Sequence, residues 1–159
     1  MNSVVEYSNP IYIVQLLTIV AFSGSKSYVL YIQDIVTFKI VHHQKFQYTV
    51  KSRDAALAIY NFVKSQLGVN HSDVVFTILK VSPFANQLFI KIMVNGLNVK
   101  LSYFSRKDYS GVYQTHKVLI KTLITQNLNN IDETINSWNE LPNHILSNIE
   151  SLPKNVTHS

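Results

Sequence analysis

Apolar residues follow two different periods along this chain, and the period changes wherever polar residues cluster. Ile11 to Phe22 is a nearly continuous apolar run rich in β-branched side chains, the pattern of a buried strand. Ser23-Gly24-Ser25-Lys26 supplies turn residues, and a second strand is predicted from Tyr28 to Gln33, interrupted by Asp34. A third is predicted from Ile35 to Val41, with a turn at His42-His43-Gln44 and a fourth strand from Lys45 to Lys51. The period then changes. Leu57, Tyr60, Phe62, Val63 and Leu67 fit one helical face, Ser52 or Asp54 can cap its start, and Gly68 stands where a helix ends.

The second half returns to strands, with Val74 to Val81 ended by Pro83. Leu88 to Val94 and Leu97 to Phe104 flank Asn95-Gly96, a dipeptide suited to the positive φ angles of a two-residue hairpin. A helix is predicted from Val112 to Asn127, and Ile131, Ile135 and Trp138 repeat at i, i+4, i+7 in a further one. Pro142 restarts the chain into a last helix through Ile145, Ile149 and Leu152. Hairpin, polar cap and helix thus occur twice, in Thr37–Gln66 and in Phe89–Gln126, which suggests two ββα units. The expected fold is α+β: a mostly antiparallel sheet of six or seven strands, helices on one face and a C-terminal helical pair. Residues 1–152 are expected to form one domain, with 153–159 as a frayed tail.

Composition narrows the reading. Apolar residues make up 47% of 159, enough for a core, and cysteine is absent, which removes disulfides, thiol nucleophiles and zinc–thiolate centres. The run Ile11–Phe22 is too short to span a bilayer, and the residues before it contain Glu6 and no Lys or Arg, unlike a signal peptide. An intracellular protein with no membrane partner is expected. Abundant Asn, Ile, Lys and Tyr suits an AT-rich genome, a property of many viruses and mobile elements.

Charge adds the strongest functional hint. Residues 35–125 hold twelve Lys and Arg against three Asp, a net +9, whereas residues 126–159 hold Lys154 against four acids, a net −3. Strand parity would put Lys39, Lys45, Lys51 and Lys100 on one polar sheet face, with Lys91 on a strand as well. Arg106, Lys107 and Tyr109 precede the predicted helix at Val112, and Lys117 lies inside it. A helix start favours anions and Tyr109 offers a ring for a base, so these nine residues form the candidate nucleic-acid-binding set. The acidic C-terminal segment, with Asp132, Glu133, Glu140 and Glu150, would compete with phosphate for that face.

Catalytic patterns are missing. No Lys has an acid two residues before it, His42-His43 point to opposite sides of a strand, and there is no phosphate-binding Gly-rich loop, His-Glu-x-x-His or Gly-x-Ser-x-Gly. His42, His43, His71 and His116 would need to converge to bind a metal, as would Asp34, Asp54, Asp73 and Asp108. No catalytic residue, metal ligand or cofactor is assigned. The leading expectation is a non-enzymatic nucleic-acid-binding accessory protein. A protein-interaction or structural module of viral kind, including a homodimer or a complex with a protein partner, and a divergent metal-dependent nuclease stand as alternatives.

Overall fold

A computed structural model describes residues 11–67, 73–104 and 111–148. It is α+β, and its described strands and α-helices are β1 (Ile11–Val20), β2 (Lys26–Asp34), β3 (Ile40–Phe46), α1 (Ser52–Phe62), β4 (Val75–Leu79), α2 (Gln87–Lys91), β5 (Lys100–Phe104), α3 (Val112–Gln126), α4 (Ile131–Glu140) and α5 (Asn143–Ser147). The five strands form one sheet in the order β3-β2-β1-β4-β5. β1 pairs antiparallel with β2, and β2 with β3, while β1–β4 and β4–β5 are parallel. The sheet is therefore mixed and five-stranded, not a mostly antiparallel one of six or seven.

Helices cover both faces, not one. On the first face, Tyr12, Val14, Leu30, Ile32, Phe76 and Ile78 pack against Ala55, Ala56, Ile59 and Phe62 of α1 and Phe89 of α2. The alanines bring α1 close to the sheet, and Tyr12 meets Phe62 edge-on at 5.2 Å and stacks on Phe76 at 5.7 Å. On the second face, Leu17, Ile19, Val29, Tyr31 and Ile40 pack against Ile120 and Ile124 of α3, the Ile131-Ile135-Trp138 stripe of α4, and Leu146 of α5. Two buried faces explain why β1 reads as a nearly unbroken apolar run.

Three sequence expectations change. The hairpin predicted at His42-His43-Gln44 does not form, because β3 runs straight through these residues as an edge strand beside β2. A register shift between Ile32 and Gln33 reverses the parity of β3, so Ile40 joins the second core and Phe46 the first. The segment predicted as strand Leu88–Val94 is helix α2, capped by Asn86, whose Oδ1 accepts the Phe89 N–H at 2.9 Å. It continues as a π-helical turn Ile92–Gly96 that ends on a Leu97 N–H to Ile92 carbonyl bond of 2.9 Å. The second supposed ββα unit is thus a helix followed by a strand, and no repeat is present.

The helix at Ser52 forms as predicted, with Asp54 Oδ2 accepting the Lys51 N–H at 3.0 Å. Ser52 is not the cap: its hydroxyl is buried and donates to the Pro83 carbonyl at 2.6 Å.

Asn95-Gly96 is not a hairpin turn, and the left-handed residue nearby is Asn98, at φ 58°. A Cβ built on Gly96 meets only the Ile92 Cγ2 atom, at 3.9 Å. Gly96→Ala is therefore expected to be neutral or to stabilise by up to about 1 kcal/mol through the unfolded chain. A thermal melt checks this; a hairpin turn there would show a clear loss.

Candidate nucleic-acid interface

Among the described residues, helices cover one half of the second face. Its core draws on β1, β2 and β3 and on no residue of β4 or β5. Among the described residues, the β4–β5 half shows half-buried Val75, Thr77 and Leu79 and, beside them on β5, exposed Lys100 and Ser102. Helix α3 borders this surface. Its buried stripe is His116, Ile120 and Ile124, and Leu119 packs into the core that α4 shares. At 100° per residue, Lys117 and Lys121 lie on the flank opposite Leu119, facing the β4–β5 half, with Gln114 beside them. Register and helix phase thus assign Thr77, Ser102 and Lys100 to the open β4–β5 half of the second face, the groove beside α3, and Lys117 and Lys121 to the flank of α3 turned away from α4. The one described acid near it is Asp73, 3.8 Å from the Lys100 ammonium, an exposed pair of little energetic weight.

The candidate residues separate in the fold. Lys100 and Lys117 border the groove, where they join Lys121, which sequence reasoning passed over although its i, i+4 spacing from Lys117 marks one helix flank. Lys45 also points to the second face but from β3, at the opposite sheet edge. Lys39 lies in the turn before β3, Lys51 precedes α1, and Lys91 is on α2, not on a strand. Of the four lysines expected to share one sheet face, Lys45 and Lys100 do so, but at opposite edges of the sheet, whereas Lys39 lies in a turn and Lys51 at a helix start. Arg106, Lys107 and Tyr109 fall between β5 and α3, outside the described residues. The acids of α4 lie beyond α3 from the groove, where Asp132 Oδ1 is 2.7 Å from His43 Nε2 and Glu133 faces the amides of Asn127 and Asn130. The idea that they compete with phosphate at the groove loses its geometric basis.

A polar network lies under the start of α3. Gln33, fully buried, donates through Nε2 to the Phe38 carbonyl at 2.9 Å and to His116 Nδ1 at 2.9 Å. His116 Nε2 is 2.7 Å from the Leu146 carbonyl and must donate there. His116 is therefore neutral and protonated on Nε2. Gln15 on β1 reaches the Tyr113 carbonyl at 3.5 Å, and Tyr113 donates its hydroxyl to the Ile35 carbonyl at 3.2 Å. Burial, helped by the charge of Asp34, pushes the Tyr113 phenol up to about 12, so it remains a donor.

The histidines do not converge. His42 faces Phe62 on the first sheet side at 5.8 Å, where burial and then nearby His43 hold it below the ordinary range. His43 is on the second side and His116 is buried on α3, while His71 lies outside the described residues. His43, Lys45, Asn129, Asn130 and Asp132 line a cleft of about 330 Å³ between β3 and the start of α4. Its Lys45 is offset by Asp132, which leaves no anion-selective field.

No protein-family model matches the chain, and no curated protein matches it in sequence. Solved structures do resemble it. The HTLV-2 integrase catalytic core domain in complex with magnesium is 16% identical, with a TM-score of 0.56 over 81% of each chain. The catalytic domain of Mos1 mariner transposase is 10% identical, with a TM-score of 0.65 over 91% of this chain and 77% of that one. A Mos1 transposase paired-end complex with the left transposon end is 8% identical, with a TM-score of 0.65 over 91% of this chain and 52% of that one. The chain shares the overall fold of these catalytic domains.

The magnesium in the integrase core raises the question of whether this chain's residues suit such an ion. Ligands of open α/β sheets gather at the carboxyl ends of parallel strands, and magnesium is held chiefly through carboxylates. β1, β4, β5 and α3 contain no Asp or Glu. Asp34 and Asp73 lie at the opposite end of the sheet, where Asp34 Oδ1 accepts the Val36 and Thr37 N–H groups at 2.7 and 3.1 Å. Among the described residues no three His, Asp or Glu side chains come together. The described residues do not fit the ion, and Asp108, between β5 and α3, lies outside them.

Proposed function

We propose that this chain is a nucleic-acid-binding domain of viral or mobile-element type that holds a strand without cleaving it. The reading rests on Lys100 of β5 and Lys117 and Lys121 of α3, which border the open β4–β5 half of the second face with its Thr77 and Ser102 hydroxyls. Phosphates would be met by ammonium groups and counterions released, which gives affinity with little sequence preference. The fold shared with a transposase bound to a transposon end is consistent with this use of the surface. Arg106, Lys107 and Tyr109 belong to the same proposal by their place between β5 and α3. Lys39, Lys45, Lys51 and Lys91 lie apart from the groove and would add only long-range attraction.

The test is binding to single- and double-stranded DNA and RNA across a salt series. Changing Lys100, Lys117 and Lys121 together to Gln is expected to weaken binding about tenfold or more at low salt. The log–log salt slope should fall by about 2, at roughly 0.7 per lost contact to a single strand. An unchanged slope removes the groove from the interface. The second reading, a metal-dependent nuclease, is favoured by the fold and opposed by the lack of a carboxylate cluster among the described residues. Plasmid cleavage with magnesium or manganese would establish it. A role in protein interaction predicts no nucleic-acid binding and a stable oligomer by light scattering.

A further inference from the structure

The β1–β2 hairpin extends beyond the rest of the sheet. β4 pairs with β1 only as far as Val14–Ile78, whereas β1 and β2 remain paired out to Val20–Lys26. β4 ends at Leu79, level with Gln15, so the five residues from Leu16 to Val20 reach roughly 17 Å past it at 3.3 Å per residue. Leu17 and Ile19 are buried under α3 and α4, so the base of the hairpin is anchored. Its tip is closed by the Ala21 N–H to the Ser25 carbonyl at 3.0 Å and the Gly24 N–H to the Ala21 carbonyl at 2.9 Å, with Gly24 at φ 89°. At this well-defined tip stands Phe22, with a relative exposure of 112%, beside Val20 at 49%. The neighbours Ser23, Gly24 and Ser25 are small and exposed, leaving the ring unobstructed on every side.

Such a ring has no structural role in the described chain. The parallel strands place the carboxyl ends of β1, β4 and β5 at the same end of the sheet, so the hairpin rises at that end of the groove, with Lys80 just past β4 and Lys26 opposite Val20, next to the tip. A phosphate backbone following the groove carries its bases past the tip. An aromatic face binds any base by stacking and needs no hydrogen-bond code.

We propose that Phe22 is a stacking residue for a nucleobase of a single strand lying in the β4–β5 groove. This rests on the nucleic-acid reading above and adds a contact which that reading does not require. The test compares full-length wild type with Phe22→Ala and Phe22→Trp, using fluorescence anisotropy of a labelled oligothymidylate at several salt concentrations. Phe22→Ala is expected to bind about tenfold more weakly or worse, with the wild-type salt slope, since no charge is removed. Its thermal melt should match wild type, because the ring is fully exposed. Phe22→Trp should restore affinity, and its indole emission should be quenched on binding.

If wild type binds and Phe22→Ala binds as tightly, the stacking role is wrong and the groove reading survives. If wild type binds no nucleic acid, both fall. Phosphatidylserine vesicles that capture wild type but not Phe22→Ala would assign the ring to a lipid surface instead. A dimer lost in Phe22→Ala would assign it to a second copy of the chain. Either result overturns the proposal.

Discussion

Trp138→Ala is expected to destabilise the chain by about 3–5 kcal/mol, the range for deleting a large buried aromatic. The indole is 2% exposed, meets the edge of His116 at 4.9 Å and donates from Nε1 to the Phe38 carbonyl at 3.0 Å. That carbonyl also receives the Gln33 amide, and Phe38 itself sits at φ 65°, an uncommon angle for a non-glycine residue. Trp138 thus anchors α4 to the turn between β2 and β3 as well as filling the core. Urea denaturation followed by circular dichroism measures the loss. Trp138→Phe keeps most of the volume and removes the bond to Phe38, so it should cost clearly less than the alanine change. If the two variants cost the same, the hydrogen bond and not the packing is the main contribution.

His116→Leu is expected to cost on the order of 4 kcal/mol despite keeping an apolar side chain of similar bulk. It strands two buried groups, the Gln33 amide and the Leu146 carbonyl, each worth about 1–3 kcal/mol when left without a partner. The double variant Gln33→Leu/His116→Leu removes the donor as well as the ring. It should be more stable than the sum of the two single changes predicts, by about 1–2 kcal/mol, and urea denaturation of all four proteins closes the cycle. Additive losses would show that His116 acts by shape alone.

The two changes bear on one region because α3, α4 and α5 meet the sheet through it. Asn139 of α4 adds a further tie: its Oδ1 accepts the Ile40 N–H at 2.7 Å and its Nδ2 donates to the Ile40 carbonyl at 2.8 Å. This covers the first residue of edge strand β3, which otherwise leaves a pair of backbone groups open to pairing. The half of the second face that lacks such a layer is the half with the groove.

Much of this fold is determined locally and was legible in the sequence. The apolar run at Ile11 is a strand, since β-branched residues in a short run bounded by Ser23-Gly24 have little alternative. The helices beginning at Ser52 and Val112 follow the 3.6-residue period, as does the Ile131-Ile135-Trp138 stripe of α4. The alternation of Leu101 and Tyr103 against Lys100 and Ser102 places those residues on the faces they occupy. Phe22 was visible as an apolar residue next to a turn, but only its position at the tip of an overhanging hairpin makes it a binding candidate.

Long-range packing decided the rest. Leu88–Val94 has the composition of a strand and becomes a helix because Asn86 caps it and Phe89 and Met93, four residues apart, both enter the first core. Local preference for strand or helix is worth a fraction of a kcal/mol per residue, less than the burial of those two side chains. Strand order likewise cannot be read from periodicity. The alternation of β3 and β5 says which residues share a face of each strand, but only the crossover through α1 places those strands at opposite edges and parts Lys45 from Lys100. Tertiary structure therefore chose which lysines meet: charge and parity are properties of each strand alone, while adjacency depends on how the chain returns to the sheet.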